Sequence, residues 1–185
     1  MKAIRAITCG GVLFVLAALA AGADTAYGAG TGDSTEDAAQ AARASLFEIR
    51  DRAQSMPIDA RRDIDKRIGI TVERINKDAT TKGQAKVAAR LSAEFGTTEE
   101  ALLDEKAEHG LSYGELVIAH TLLANSSAGV TLVDLMDLRS EGLGWGAIAY
   151  GLRFHMEDFE DAIKAEGRVA MGLTKADGKP AVIGK

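Results

Sequence analysis

The residues best equipped to hold a metal ion stand together at His155, Glu157 and Asp158, with Glu160 and Asp161 close behind. An imidazole and hard carboxylate oxygens are donor types that zinc and calcium take. The spacing argues against convergence on one centre. Consecutive carboxylates on a helix point around its axis, and no Asp-x-Asp-x-Asp-Gly loop is present. Acidic residues early in a helix are also what its dipole favours. His155, Glu157 and Asp158 therefore stand as candidates only, and no metal or other cofactor is expected. His109 precedes Gly110 at a helix end, where a cation complements the dipole, and His120 reads as a helix-face residue.

Nucleophilic catalysis needs a hydroxyl beside a base that is itself oriented. Serines occur at Ser92, Ser112, Ser126, Ser127 and Ser140, none within Gly-x-Ser-x-Gly. A cell-wall glycan hydrolase would need a carboxylic acid of raised pKa in a cleft. Glu115 and Glu157 are its candidates, and helix capping accounts for Glu115 more simply. No glycine-rich loop carries a lysine placed for phosphate. No catalytic constellation is expected. Two large aromatics, Tyr113 and Trp145, remain as candidates for a ligand or partner surface.

Those aromatics belong to a repeat. A shift of 32 residues lays Leu103 on Leu135, Gly110 on Gly142, Leu111 on Leu143, Tyr113 on Trp145, Gly114 on Gly146 and Leu116 on Ile148. Both stretches read as a helix, a glycine, a leucine, a small residue, an aromatic, a glycine and a second helix. This predicts a structural duplication. Gly110 and Gly142 suit the left-handed position after a helix. Ser112 and Glu115 suit a capping box, whereas Gly144 and Ala147 at the matching places predict a weaker cap. Tyr113 and Trp145 would fill the space between the helices of each unit, with Gly114 and Gly146 allowing close backbone approach. The alternative is a stacking surface for a glycan or peptide.

The run Gly142-Leu143-Gly144-Trp145-Gly146-Ala147-Ile148-Ala149 resembles the helix-turn-helix of DNA-binding proteins. The helices that would enter the groove, Tyr113–Leu123 and Trp145–Leu152, are nearly devoid of the Arg, Lys, Asn and Gln that read base edges. From Ala85 to Leu152 the chain also resembles a group of small secreted bacterial proteins with paired L-G-W-G-E-I-type helical hairpins. Gly110-Leu111-Ser112-Tyr113-Gly114-Glu115-Leu116 and Leu143-Gly144-Trp145-Gly146-Ala147-Ile148 carry that likeness. It implies a helical fold and export, and no particular activity.

The rest of the chain must position these units. With 185 residues, 46% apolar, 5% aromatic and 2 prolines, the composition favours helices over a sheet and one folded domain. Residues 1–23 read as an export signal: Lys2 and Arg5, an apolar run from Gly10 to Ala21, and the small-x-small Ala21-Gly22-Ala23. Its removal takes the lone Cys9 and lowers the basic count from 22 to 20 against 27 acidic residues, a net −7. An acidic exported chain is not expected to bind nucleic acid, nor to keep a stable membrane span.

A flexible leader (24–33) precedes a helical hairpin (34–78). Its first helix carries a seam of Ala39, Ala42, Leu46, Ile49, Ala53 and Met56, and Pro57 ends it. Its second carries Ile64, Ile68, Val72 and Ile75 on one stripe, with Gly69 in the middle. A polar connector at 78–83 marks a boundary before the tandem helix-turn-helix-like domain (84–170), and 174–185 reads as a flexible tail. The expected fold is all-α, a hairpin followed by a duplicated bundle. The expected function is that of an exported cell-envelope interaction or scaffold protein, periplasmic or secreted. Its partner would be an envelope protein or a second copy, met in part through Leu46 and Ile49. The alternatives are a periplasmic carrier of a small ligand or metal and, further off, the glycan hydrolase.

Overall fold

Residues 33–185 are described by the structure, a computed structural model. The export signal at 1–23, and the leader at 24–33 apart from Asp33, lie outside them. Among the described residues the chain is all-helical, without strands. The order is α1 (Asp33–Ser55), α2 (Ile58–Lys82), α3 (Gln84–Phe95), α4 (Glu99–Glu108), α5 (Tyr113–Asn125), α6 (Leu132–Ser140), α7 (Trp145–Gly151) and α8 (Met156–Ala170). None of these helices is long and apolar enough to cross a membrane.

The ends of the helices follow local chemistry. Ser112 and Glu115 form the expected capping box on α5, and Thr131 and Asp134 form a second on α6. Gly144 gives α7 no side-chain cap. Gly110 (φ 64°) and Gly142 (φ 86°) take the left-handed conformation after α4 and α6. Each is followed by a residue that donates back five positions, Leu111 to Lys106 and Leu143 to Leu138. After α7 the same place is held by Arg153 (φ 67°), the one non-glycine residue with positive φ among those described.

α5 is the centre of the core. Leu116, Val117, Ile118, Ala119 and Leu122 are all inaccessible, and a helix apolar on every face has no stable place except inside. Each such Leu or Ile contributes roughly 1.5–3 kcal/mol on burial. Around it pack α2, α3 and α8, and α7 packs on α1, α2 and α8. α2 is the spine: Ile64, Ile68, Thr71, Ile75 and Ala79 are its buried face.

Three expectations about organisation change. α1 finds its main partner in α7, not in α2, so residues 34–78 do not close on themselves as a hairpin. An amphipathic seam says that a helix packs, but not against which neighbour. Arg50 fixes α1 by a bidentate pair with Glu141 (2.6 Å for both bonds), and Arg52 donates to the Gly151 carbonyl at 2.7 Å. Second, the connector at 78–83 is helical through Lys82, and one core runs from Ile49 to Ile183 across the supposed boundary. Lys82 pairs with Asp78 one turn back at 2.6 Å, which supports the helix there. Third, the segment 174–185 is tied to the body: Ile183 is only 5% exposed.

Candidate functional site

The two turn motifs are where α2 meets the short helices. At the start of α5 the Gly114 N–H donates to Asn76 Oδ1 at 3.0 Å; at the start of α7 the Gly146 N–H donates to Asp65 Oδ1 at 2.9 Å. Asp65 and Asn76 stand eleven residues apart, about three turns, so both lie on one face of α2. One helix thus supplies an acceptor to an orphan donor of each short helix. The glycines permit the contact: a Cβ on Gly114 would lie 2.7 Å from the Val72 Cα, and one on Gly146 would run into Ile64.

Tyr113 and Trp145, 4% and 5% exposed, are core residues rather than an open stacking surface. The Lys106 ammonium lies 5.3 Å from the Tyr113 ring centre, and the Arg139 guanidinium 4.9 Å from that of Trp145. Burial pushes the Tyr113 phenol up from its ordinary pKa. The structure holds the two aromatics at separate places along α2, so they share no site. Ile49 is buried under α7, whose Gly151 sits so close that a Cβ there would meet the Ile49 carbonyl at 2.5 Å. It offers a partner nothing, and Leu46 is half-buried beside it.

His155, Glu157 and Asp158 are exposed, with His155 Nδ1 3.6 Å from Asp158 Oδ2. No group of three His, Cys, Asp or Glu side chains converges for a metal among the described residues. Glu115 is engaged in its capping box, with Arg139 3.7 Å away, and Glu157 is not brought to it. His109 caps α4 as expected, while His120 stacks on Phe95 and meets Glu105 Oε2 at 2.7 Å.

The most constructed polar site is elsewhere. Residues 177–184 run as a strap across the ends of α3, α5 and α8, with a turn at Gly178 (φ 70°), and the body grips them by their backbone. Glu94 Oε2 accepts from the Asp177 N–H at 2.9 Å, and Glu166 Oε1 accepts from the Ala181 N–H at 2.6 Å. Asn125 works in both directions: its Nδ2 donates to the Ala181 carbonyl and its Oδ1 accepts from the Ile183 N–H, each at 2.8 Å. The second Nδ2 hydrogen goes to Thr121 in its own helix, at 2.9 Å, which holds the amide in place. The His155 N–H, at the mouth of α8, donates to the Gly184 carbonyl at 2.9 Å. Ile183 is the apolar anchor.

Beside the strap lies a cavity of about 350 Å³ lined by Glu94, Glu166, Arg168, Thr174, Lys175 and Asp177. Glu94 and Glu166 are each 2% exposed. Burial, reinforced by the charges of Glu94 and Asp177, pushes the Glu166 carboxyl up to about 6, against the opposing effect of its bond from Ala181. Its Oε2 is buried with no partner. The arrangement can hold an extended chain by main-chain groups and one aliphatic side chain, and can take up a proton near neutrality.

The sequence carries only a trace of this site. Phe159, Ile163, Glu166 and Ala170 form one apolar stripe of α8, and Val87, Leu91 and Glu94 one of α3. A carboxylate inside a core stripe is costly unless something meets it. What meets these two is a distant segment. No family model, no curated protein and no solved structure matches this chain.

Proposed function

We propose that this protein is an exported, non-enzymatic interaction protein of the cell envelope, working by gripping extended polypeptide in the groove between α3, α5 and α8. The observation that carries this reading is the set of five backbone hydrogen bonds made to residues 177–184, four of them from the side chains of Glu94, Asn125 and Glu166. Recognition of an extended chain through alternate residues gives affinity from the backbone and selectivity from the pocketed side chain. Here the backbone groups read are those of Asp177, Ala181, Ile183 and Gly184, and the pocketed side chain is Ile183. Export is supported by the charged start, apolar run and small-x-small site of the first residues.

Native mass spectrometry of the protein taken from its host's envelope tests both parts. The expected result is a chain beginning after Ala23, alone and in complex with polypeptide. A full-length chain confined to the cytoplasm would overturn export. Extra mass from a metal ion or small metabolite, with no polypeptide partner, would overturn the interaction reading in favour of a carrier.

A further inference from the structure

The strap is itself a ligand. It approaches the body as a bound peptide would, with its main chain read by side chains from three helices and with one anchor, Ile183, beyond a turn at Gly178. It is joined to α8 only by Gly172–Ala176. That link contains a left-handed glycine, Gly172 at φ 70°, and its residues are exposed apart from half-buried Ala176. The chain leaves α8 at Met171, reverses past Glu94 of α3, and then meets Glu166 and, further on, the His155 N–H, so it runs back along the helix it has just left.

We propose that the groove's occupant in the associated state is the strap of a second copy, so that two chains exchange residues 177–184 reciprocally. The proposal rests on the interaction reading above and names the partner. Every strap–groove contact recurs in the exchanged form, because both copies carry the same strap and groove. Only the link changes conformation, giving up the bonds that the Leu173 and Thr174 N–H groups make to the Arg168 carbonyl, and exchange of this kind is a known route to a dimer. The five-residue link is the hinge that such an exchange would use. The link and the strap each carry an exposed large apolar side chain that a second copy could cover: Leu173, 64% exposed, and Val182, 85% exposed.

The experiment compares the full chain with its Ile183→Asp variant by light scattering and native mass spectrometry, from micromolar to submillimolar concentration. Wild type is expected to form a dimer that rises with concentration and dissociates slowly on dilution, as an exchanged segment must. Ile183→Asp is expected to lose that dimer. Should the variant fail to show native helical dichroism, an excess of synthetic peptide Asp177–Lys185 added to wild type gives the same test, with loss of dimer expected. A wild type that stays monomeric, or a dimer insensitive to Ile183→Asp and to the peptide, overturns the exchange. A separate arm measures binding of the fluorescent peptide to folded Ile183→Asp, whose own strap is released. If the peptide binds there while wild type stays monomeric, exchange is wrong and the groove serves another partner. If it does not bind, the groove is no peptide site and the interaction reading fails with it.

Discussion

Replacing Glu166 with glutamine tests the strap site through its pH dependence. The Glu166 carboxyl titrates near 6 in the folded chain against an ordinary value of 4.5. Burial beside Glu94 and Asp177 therefore disfavours the ionised form. A group whose folded pKa is raised adds stability that is complete below about 4.5 and is lost as the pH climbs through about 6. The difference between those two values is worth at most about 2 kcal/mol. Glutamine keeps an Oε1 to accept from the Ala181 N–H but carries no charge, so this loss should vanish. The two proteins are unfolded in urea at pH 4.5 and at pH 7.5, and only the change in their difference is used. That cancels any constant cost of packing the amide in place of the unpartnered Oε2. Glu166→Gln should gain up to about 2 kcal/mol on wild type between the two pH values, roughly 4–8 °C in melting temperature. A difference that is flat with pH, or that moves against the glutamine as pH rises, would refute the reasoning.

Other substitutions test the remaining contacts. Gly114→Ala forces a Cβ to within 2.7 Å of the Val72 backbone, which cannot rotate aside, so a loss of about 1–3 kcal/mol or more is expected in thermal melts. Gly69→Ala, in mid-helix with nothing within 4 Å of its Cβ, should do the opposite and gain up to about 1 kcal/mol; equal effects at the two glycines would discredit the close approach of α2 to α5. Asn125→Ala removes both bonds to residues 181 and 183 and should open the strap by about 1–3 kcal/mol, accelerating amide exchange at Ala181 and Ile183 by about 5- to 150-fold. Exchange unchanged at Ala181, whose own N–H bond goes to Glu166, would show that the strap does not open as a unit. Arg153→Gly should raise stability by up to about 1 kcal/mol, because glycine takes the φ of 67° without the strain an arginine bears. A lower melting temperature would mean that the Arg153 side chain contributes more than its backbone costs.

How far the site was legible follows from where its parts lie in the chain. The turn motifs could be read because each is complete within a few residues: Gly110 leads to Ser112, and Ser112 to Glu115. The close backbone approach at Gly114 and Gly146 could be read too, but not the partner, because Asn76 and Asp65 lie on a helix that precedes both. Residue type alone allows Tyr113 and Trp145 to be a surface or a core; their place in the repeat favours core, and the packed structure buries them. The stripe of Ile49 says that the helix packs, and the fold decides that α7 of the same chain covers it.

What the amino-acid order determined by itself is the all-helical character, the caps and stops of the helices, and the stripe of α2. These depend on neighbours three or four residues apart, and such preferences survive whatever the rest of the chain does. The tertiary structure alone decided that α1 lies on α7 and that one core crosses residues 78–83. It also decided that 177–184 is a bound strap rather than a frayed end. Asp177-Gly178-Lys179-Pro180 reads locally as loop, and no periodicity in it announces a partner. Its order comes from Glu94, Asn125 and Glu166, which face it only after three helices have packed.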